Sequence, residues 1–136
     1  MRLTSLADYA VVMMAAAARH PSGARLSATL LAEETGVPLP TAQKLTGRLA
    51  AAGLLATARG TGGGFRLARP ADAISLADIV EAVEGPIVMT VCIDEHRHDC
   101  ALEACCQVRP HMGLVNGAVR GALAAVPLTQ LAEAGA

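Results

Sequence analysis

The sequence predicts a mainly α protein with a small β wing: a winged helix-turn-helix followed by a long C-terminal dimerisation helix. Three observations predict it. Apolar residues make up 53% of the 136 and aromatics 1%, so the core is built from Ala, Leu, Val and Met, side chains that suit helix packing. Two short helical segments are joined by "TGVPLP", the pattern of a helix-turn-helix. A glycine-rich turn between two short strand-like runs, "LLATARGTGGGFRLAR", follows at once and reads as the wing. The length fits one domain with an appendage. It divides into a winged helix-turn-helix at 1–72 with its wing at about 54–69, a connecting helix at 73–90, a cysteine loop at 91–107, and a dimerisation helix with tail at 108–136.

The first helix is expected over Leu3 to Arg19. Leu3, Leu6, Ala10, Met13, Met14 and Ala17 share one face, with Asp8 nearly opposite. Read alone, Asp8 is a solvated helix residue. "HPSG" stops the helix. The second helix runs from Ser27 to Glu34, with Ser27 as N-cap and Gly36 at its end. The third begins in "PLPTAQK", where Pro40 suits a first helical turn. It buries Ala42, Leu45, Leu49 and Ala52, and Gly53 ends it. Gln43, Lys44, Gly47 and Arg48 point away from that stripe. A fourth helix lies within Ser75 to Pro86. Ser75 and Asp78 are spaced for a capping box, and Leu76, Ile79, Val80 and Val83 form the stripe. The last long helix spans roughly Val108 to Val126. Met112, Leu114, Val115, Ala118, Val119, Ala122, Leu123 and Val126 cover about half its circumference. A face that wide wants a partner helix, which predicts a homodimer. A short helix follows Pro127.

The formal net charge is −1, but the distribution is uneven. From Thr35 to Ala71 there are five basic residues (Lys44, Arg48, Arg59, Arg66, Arg69) and no acidic one. From Asp72 to Cys106 there are eight acidic residues and one basic, Arg97. Two tasks in one chain are implied. The basic part carries the signature of double-stranded DNA as partner. Gln43 and Lys44 stand near the start of the candidate recognition helix, where Gln reads adenine edges and Lys reads guanine or phosphate. Thr41 and Arg48 lie on the same helix, and Arg59 sits at the near edge of the wing. The triple glycine lies between strands and does not open a helix, which argues against a nucleotide loop. Nothing pairs a nucleophile with a base, so an enzyme is not expected. Charged residues or His interrupt every apolar run before it reaches membrane length. Asp8 interrupts the stretch that mimics a signal peptide. A cytoplasmic location is expected.

All four cysteines, Cys92, Cys100, Cys105 and Cys106, fall in "VCIDEHRHDCALEACCQVR" with His96 and His98. No C-x-x-C pair is present, unlike most structural zinc sites. Adjacent Cys105 and Cys106 diverge too strongly to ligate one metal together. Three thiolates and a spare result. An iron–sulfur cluster, zinc and a thiol switch all remain open at this point, as do incidental cysteines. Asp94, Glu95, Asp99 and Glu103 oppose a bare reactive thiolate, and a bound metal offsets that repulsion.

"MRLTSLADYAV", "ARGTGGGFRLAR", "EGPI" and the cysteine loop together resemble the Rrf-two (BadM-type) winged-helix regulators over nearly the whole chain. That family includes regulators of the ISC and SUF iron–sulfur assembly operons and nitric-oxide-sensing repressors. The resemblance implies a DNA-binding homodimer holding a [2Fe-2S] cluster, in preference to [4Fe-4S], on Cys92, Cys100 and Cys106. Cys106 is preferred over Cys105 because "CALEACCQVR" resembles the SUF-regulator pattern. The fourth ligand is then not a cysteine in the family's pattern. The ISC regulators use a histidine three residues past the last cysteine, where this chain has Arg109. The nitric-oxide sensors use an aspartate on the first helix of the other subunit, and Asp8 matches it. His111, Cys105, His96 and His98 are the other candidates. For DNA the resemblance carries over to Gln43, Lys44 and Arg59. ISC regulators have a glutamate at the position of Gln43 that discriminates two operator classes, so a single class is expected here. The expected function is repression of SUF-type assembly genes according to cluster status. The alternatives are a nitric-oxide-responsive repressor and, in another class, a redox or zinc protein that does not bind DNA.

Overall fold

In the computed structural model, residues 3–57, 63–88 and 109–133 are described. Helix α1 (Ser5–Arg19) runs through the middle of the core. Thr4 caps it, the hydroxyl oxygen accepting from the Ala7 N–H at 3.1 Å. Ala7, Ala10, Met13, Met14 and the run Ala15–Ala17 are buried. Small side chains on several faces let α1 pack closely against α2 (Ala28–Thr35), α3 (Leu39–Ala51), α4 (Leu76–Glu84) and α6 (Leu128–Glu133). Leu3 departs from expectation. It lies before the helix and is 47% exposed.

The helix-turn-helix forms as its caps predict. The Ser27 hydroxyl accepts from the Leu30 N–H at 3.0 Å, and Gly36 ends α2 in the left-handed region. Pro40 occupies the first turn of α3, where a missing N–H costs nothing. Ala42, Leu45 and Leu49 are buried. Ala52 is exposed, because it stands beyond the last helical residue and has turned out of the stripe.

Strands β1 (Leu55–Thr57) and β2 (Phe65–Leu67) pair antiparallel, with Leu55 opposite Leu67 and Thr57 opposite Phe65. A third segment joins them at one point: Leu26 and Phe65 exchange backbone hydrogen bonds of 2.7 and 2.8 Å. Gly64 makes that approach possible. Its φ is +106°, and a Cβ there would lie 2.5 Å from the Leu26 carbonyl oxygen.

A 3-10 turn at Ala71–Ala73 leads into α4. The capping box is complete: the Asp78 N–H donates to Ser75 Oγ at 3.1 Å, and the Ser75 N–H donates to Asp78 Oδ2 at 2.9 Å. Ile79, Val80 and Val83 face inward as expected. The chain later returns to this place. Leu76 N–H donates to the Val126 carbonyl and Leu128 N–H to the Ile74 carbonyl, and Leu128 is fully buried.

Helix α5 (Arg109–Ala124) differs from the rest. None of its described side chains is buried, and Leu114 and Val115 are 75% and 42% exposed. It packs chiefly against α4.

Candidate nucleic-acid interface and the anchors of the cysteine loop

Helix α3 presents Gln43 and Lys44 to solvent, while Thr41 beside them is half-buried. The Thr46 hydroxyl donates to the Gln43 backbone carbonyl at 2.8 Å within the helix, and the Gln43 side chain is exposed. Arg66 is exposed on β2. Arg69, also exposed, curls toward the start of α4. Its Nη1 donates to the Ala73 carbonyl at 3.2 Å, and Nη2 lies 3.7 Å from Asp78 Oδ2. Arg59 lies outside the described residues.

Arg48 is not the freely projecting side chain that its helical position predicts. It is half-buried, and Nη1 donates to the Val83 carbonyl at 3.1 Å. The cause is local. The last turn of α4 has carbonyls without helical partners at the negative end of the helix dipole, and a guanidinium on a long stem reaches them from α3.

Cys92, Cys100, Cys105, Cys106, His96 and His98 lie outside the described residues. The chain on either side of them is described. Asp8 is exposed in the first turn of α1, and its N–H donates to the Thr4 carbonyl at 3.0 Å. Thr4 is itself fixed, since its hydroxyl donates to a carboxylate oxygen of Glu84. His111 is exposed in the first turn of α5.

Ile87 stands just before the loop and is gripped from both sides. Its N–H donates to Glu81 Oε2 at 3.0 Å, and its carbonyl accepts from Asn116 Nδ2 at 2.9 Å. The other Glu81 oxygen accepts from Arg120 Nη2 at 2.7 Å and Nε at 3.1 Å. Partial burial opposes charge on Glu81. The Arg120 hydrogen bond and charge and the Ile87 amide outweigh it, and the carboxyl is held below its ordinary pKa. Residues 81, 116 and 120 do not stand out in the sequence. Two lie on α5 and one on α4, and only folding brings them together.

Beside these anchors, an apolar cleft of about 510 Å³ opens between Leu3, Val80, Val88, Val119 and Leu123. No helix among the described residues is long and apolar enough to cross a membrane.

Comparison with known proteins agrees with this arrangement. The Rrf2 family model, described as an iron-dependent transcriptional regulator, matches residues 3–134. The HTH-type transcriptional regulator IscR of Photobacterium profundum is 37% identical over 92 residues, covering 68% of this chain and 54% of the relative. IscR of Erwinia tasmaniensis is also 37% identical over 92 residues, covering 68% and 56%. The chain thus spans about half the length of the curated relatives it matches. Among solved structures, oxidised CymR of Staphylococcus aureus superposes with a TM-score of 0.70 at 27% identity, covering 98% of this chain and 97% of the other. The IscR of T. potens superposes with a TM-score of 0.72 at 23% identity, covering 100% and 89%, a likeness of fold.

Proposed function

Because the chain belongs to the Rrf2 family of winged-helix transcriptional regulators, we propose that it is a homodimeric operator-binding repressor whose DNA affinity follows the status of an iron–sulfur cluster. In this reading it works in the cytoplasm and controls SUF-type cluster assembly genes. The relatives are transcriptional regulators and not enzymes. The observation that carries the proposal is the exposed pair Gln43 and Lys44 at the front of α3, beside a two-stranded wing, in a chain matched by the family model from residue 3 to 134.

On DNA, α3 enters the major groove. Gln43 reads a base edge, Lys44 takes a guanine or phosphate, and Thr41 completes the face, while Arg48, the other candidate on this helix, is held back against α4. Arg59 follows the neighbouring backbone from the wing. The dimer is supported by the face of α5 where Leu114 and Val115 stand exposed and are not covered by the described residues. A second copy of α5 matches that face in length and character.

Cys92, Cys100 and Cys106 hold the cluster, [2Fe-2S] in preference to [4Fe-4S]. The donor chemistry fits, since thiolates are the ligands such clusters take. The described flanks fit too. Asn116, beyond the loop, holds the Ile87 carbonyl before it, so the chain on the two sides of the cysteines is already drawn together. A bound cluster supplies a group that responds to redox change and to iron and sulfide supply.

A second reading, a nitric-oxide-responsive repressor, is favoured by Asp8. Its exposure and its place on the first turn of α1 suit a fourth ligand offered to the partner subunit's cluster. Cys105 and His111 are the alternatives for that ligand. Asp8→Ala is expected to shift the visible spectrum of the cluster-loaded protein, and an unchanged spectrum removes Asp8 from the ligand set.

The main test has two parts. Anaerobic purification with iron and sulfide counts reports the cofactor, and a colourless zinc-containing protein defeats the cluster assignment. Binding to the protein's own promoter is then titrated at several salt concentrations, with and without cluster. Steep salt dependence is expected, and a flat response favours a redox or zinc protein that does not use DNA.

A further inference from the structure

We propose that Glu81 is a positioning residue that couples the cysteine loop to the recognition helix. The two oxygens of its carboxylate are bonded in different directions. One takes the Ile87 amide, where the loop begins, and the other takes Arg120 on α5. Glu81 lies on the last turns of α4 with Val83, whose carbonyl receives Arg48 from α3. The inference rests on the cluster reading above.

Gly85 and Pro86 separate α4 from Ile87, and Gly85 has a φ of +85°. A link of that kind would ordinarily act as a swivel and absorb movement of the loop. Glu81 bridges across it. With Asn116 gripping the Ile87 carbonyl, the peptide units on both sides of Ile87 are held by side chains from two helices. Displacement of the chain from Val88 onward must therefore break these bonds or carry α4 with it. Bonds with an ionised partner are shorter and stronger than neutral ones, so the Glu81 carboxylate resists the first outcome. The last turn of α4 then moves against Arg48. Arg48 belongs to the helix that carries Gln43 and Lys44.

The test uses the full chain, reconstituted anaerobically, with operator DNA. The readouts are the ratio of holo to apo affinity, the circular dichroism of the cluster, and hydrogen exchange at the Ile87 amide. Glu81→Ala is expected to bring the ratio at least about fivefold closer to unity. It should also expose the Ile87 amide to exchange, while apo affinity stays within about twofold of wild type. Arg120→Ala keeps the Glu81–Ile87 bond and is expected to retain most of the ratio. An undiminished ratio in Glu81→Ala overturns the proposal. So does a collapsed ratio in Arg120→Ala with the Ile87 amide still protected, which would assign the coupling to α5 alone. If Glu81→Ala fails to fold, Asn116→Ala loosens the other side of the same residue, and an unchanged ratio there overturns the proposal equally. A wild-type protein that takes up no cluster, or shows no ratio, defeats the functional reading and this inference together. An intact wild-type ratio that the variants leave alone defeats this inference only.

Discussion

Arg48 of α3 donates to the Val83 carbonyl of α4 across 3.1 Å, joining the second helix of the helix-turn-helix to the helix that precedes the cysteine loop. The bond is charge-assisted and half-buried. Arg48→Ala leaves a helix-end carbonyl without its partner and is expected to cost about 1–2 kcal/mol. Urea unfolding of the apo protein checks this, and a loss within error of zero would make the contact incidental.

Lys44 and Gln43 carry no such structural duty, and their substitutions separate two kinds of recognition. Lys44→Ala, if it removes a phosphate contact, weakens binding evenly across DNA sequences and lowers the salt slope by about 1. Gln43→Ala costs about 1–3 kcal/mol on the preferred operator and relaxes the choice of one base pair. Neither should change the urea midpoint. Competition binding against single-base operator variants measures both.

Of the two described glycines in the wing turn, Gly64 is the one where a side chain would collide. In Gly64→Ala a methyl group would stand 2.5 Å from the Leu26 carbonyl, on a backbone with φ +106°. The Leu26–Phe65 bridge must open, at a cost of about 2 kcal/mol or more. A lowered melting temperature with helix content retained is the expected result. A wild-type melting curve would contradict the observed closeness.

Leu114 tests the proposed dimer. It is 75% exposed in the single chain, so Leu114→Glu removes little packing within it. Sedimentation is expected to show a monomer at concentrations where wild type is a dimer. A variant that remains dimeric moves the interface away from this part of α5.

Glu81 gives the molecule an acid-sensitive joint. Its carboxyl is held below the ordinary value in the folded chain. The unfolded state therefore binds the proton more readily. The contribution to stability is complete above the unfolded carboxylate range and is lost as pH falls through the depressed folded value. Glu81→Gln should flatten the acid limb of the stability curve while leaving its neutral side parallel to wild type. Urea midpoints measured across the acid range test this, and identical slopes in the two proteins would deny the linkage.

Local chemistry made most of the fold legible. Ser27, Ser75 with Asp78, and Pro40 mark helix starts, and Gly36 and Gly53 mark ends, because capping is decided within a few residues. The burial of Ala42, Leu45 and Leu49 follows from helical spacing in the same way. Long-range partners left less trace. Leu26 joins the wing through a single bridge, which has no period to detect. Arg48 stands on the outer part of a helical wheel, yet its length carries the guanidinium back to α4. Of the candidate site, Gln43, Lys44 and Asp8 stand exposed as expected. The Glu81–Arg120 pair could not be anticipated, because no rule of spacing joins residues on separate helices.

The return of the chain to its own middle has a consequence for synthesis. Leu128 is fully buried among residues made long before it, and the Arg19 Nε–H closes the far end by donating to the Ala132 carbonyl. The ribosome completes domains from the N-terminus onward. Here the nascent helix-turn-helix emerges early but waits for Leu128 before its interior is sealed. By then every cysteine has already left the exit tunnel, and the part that was translated first is finished last.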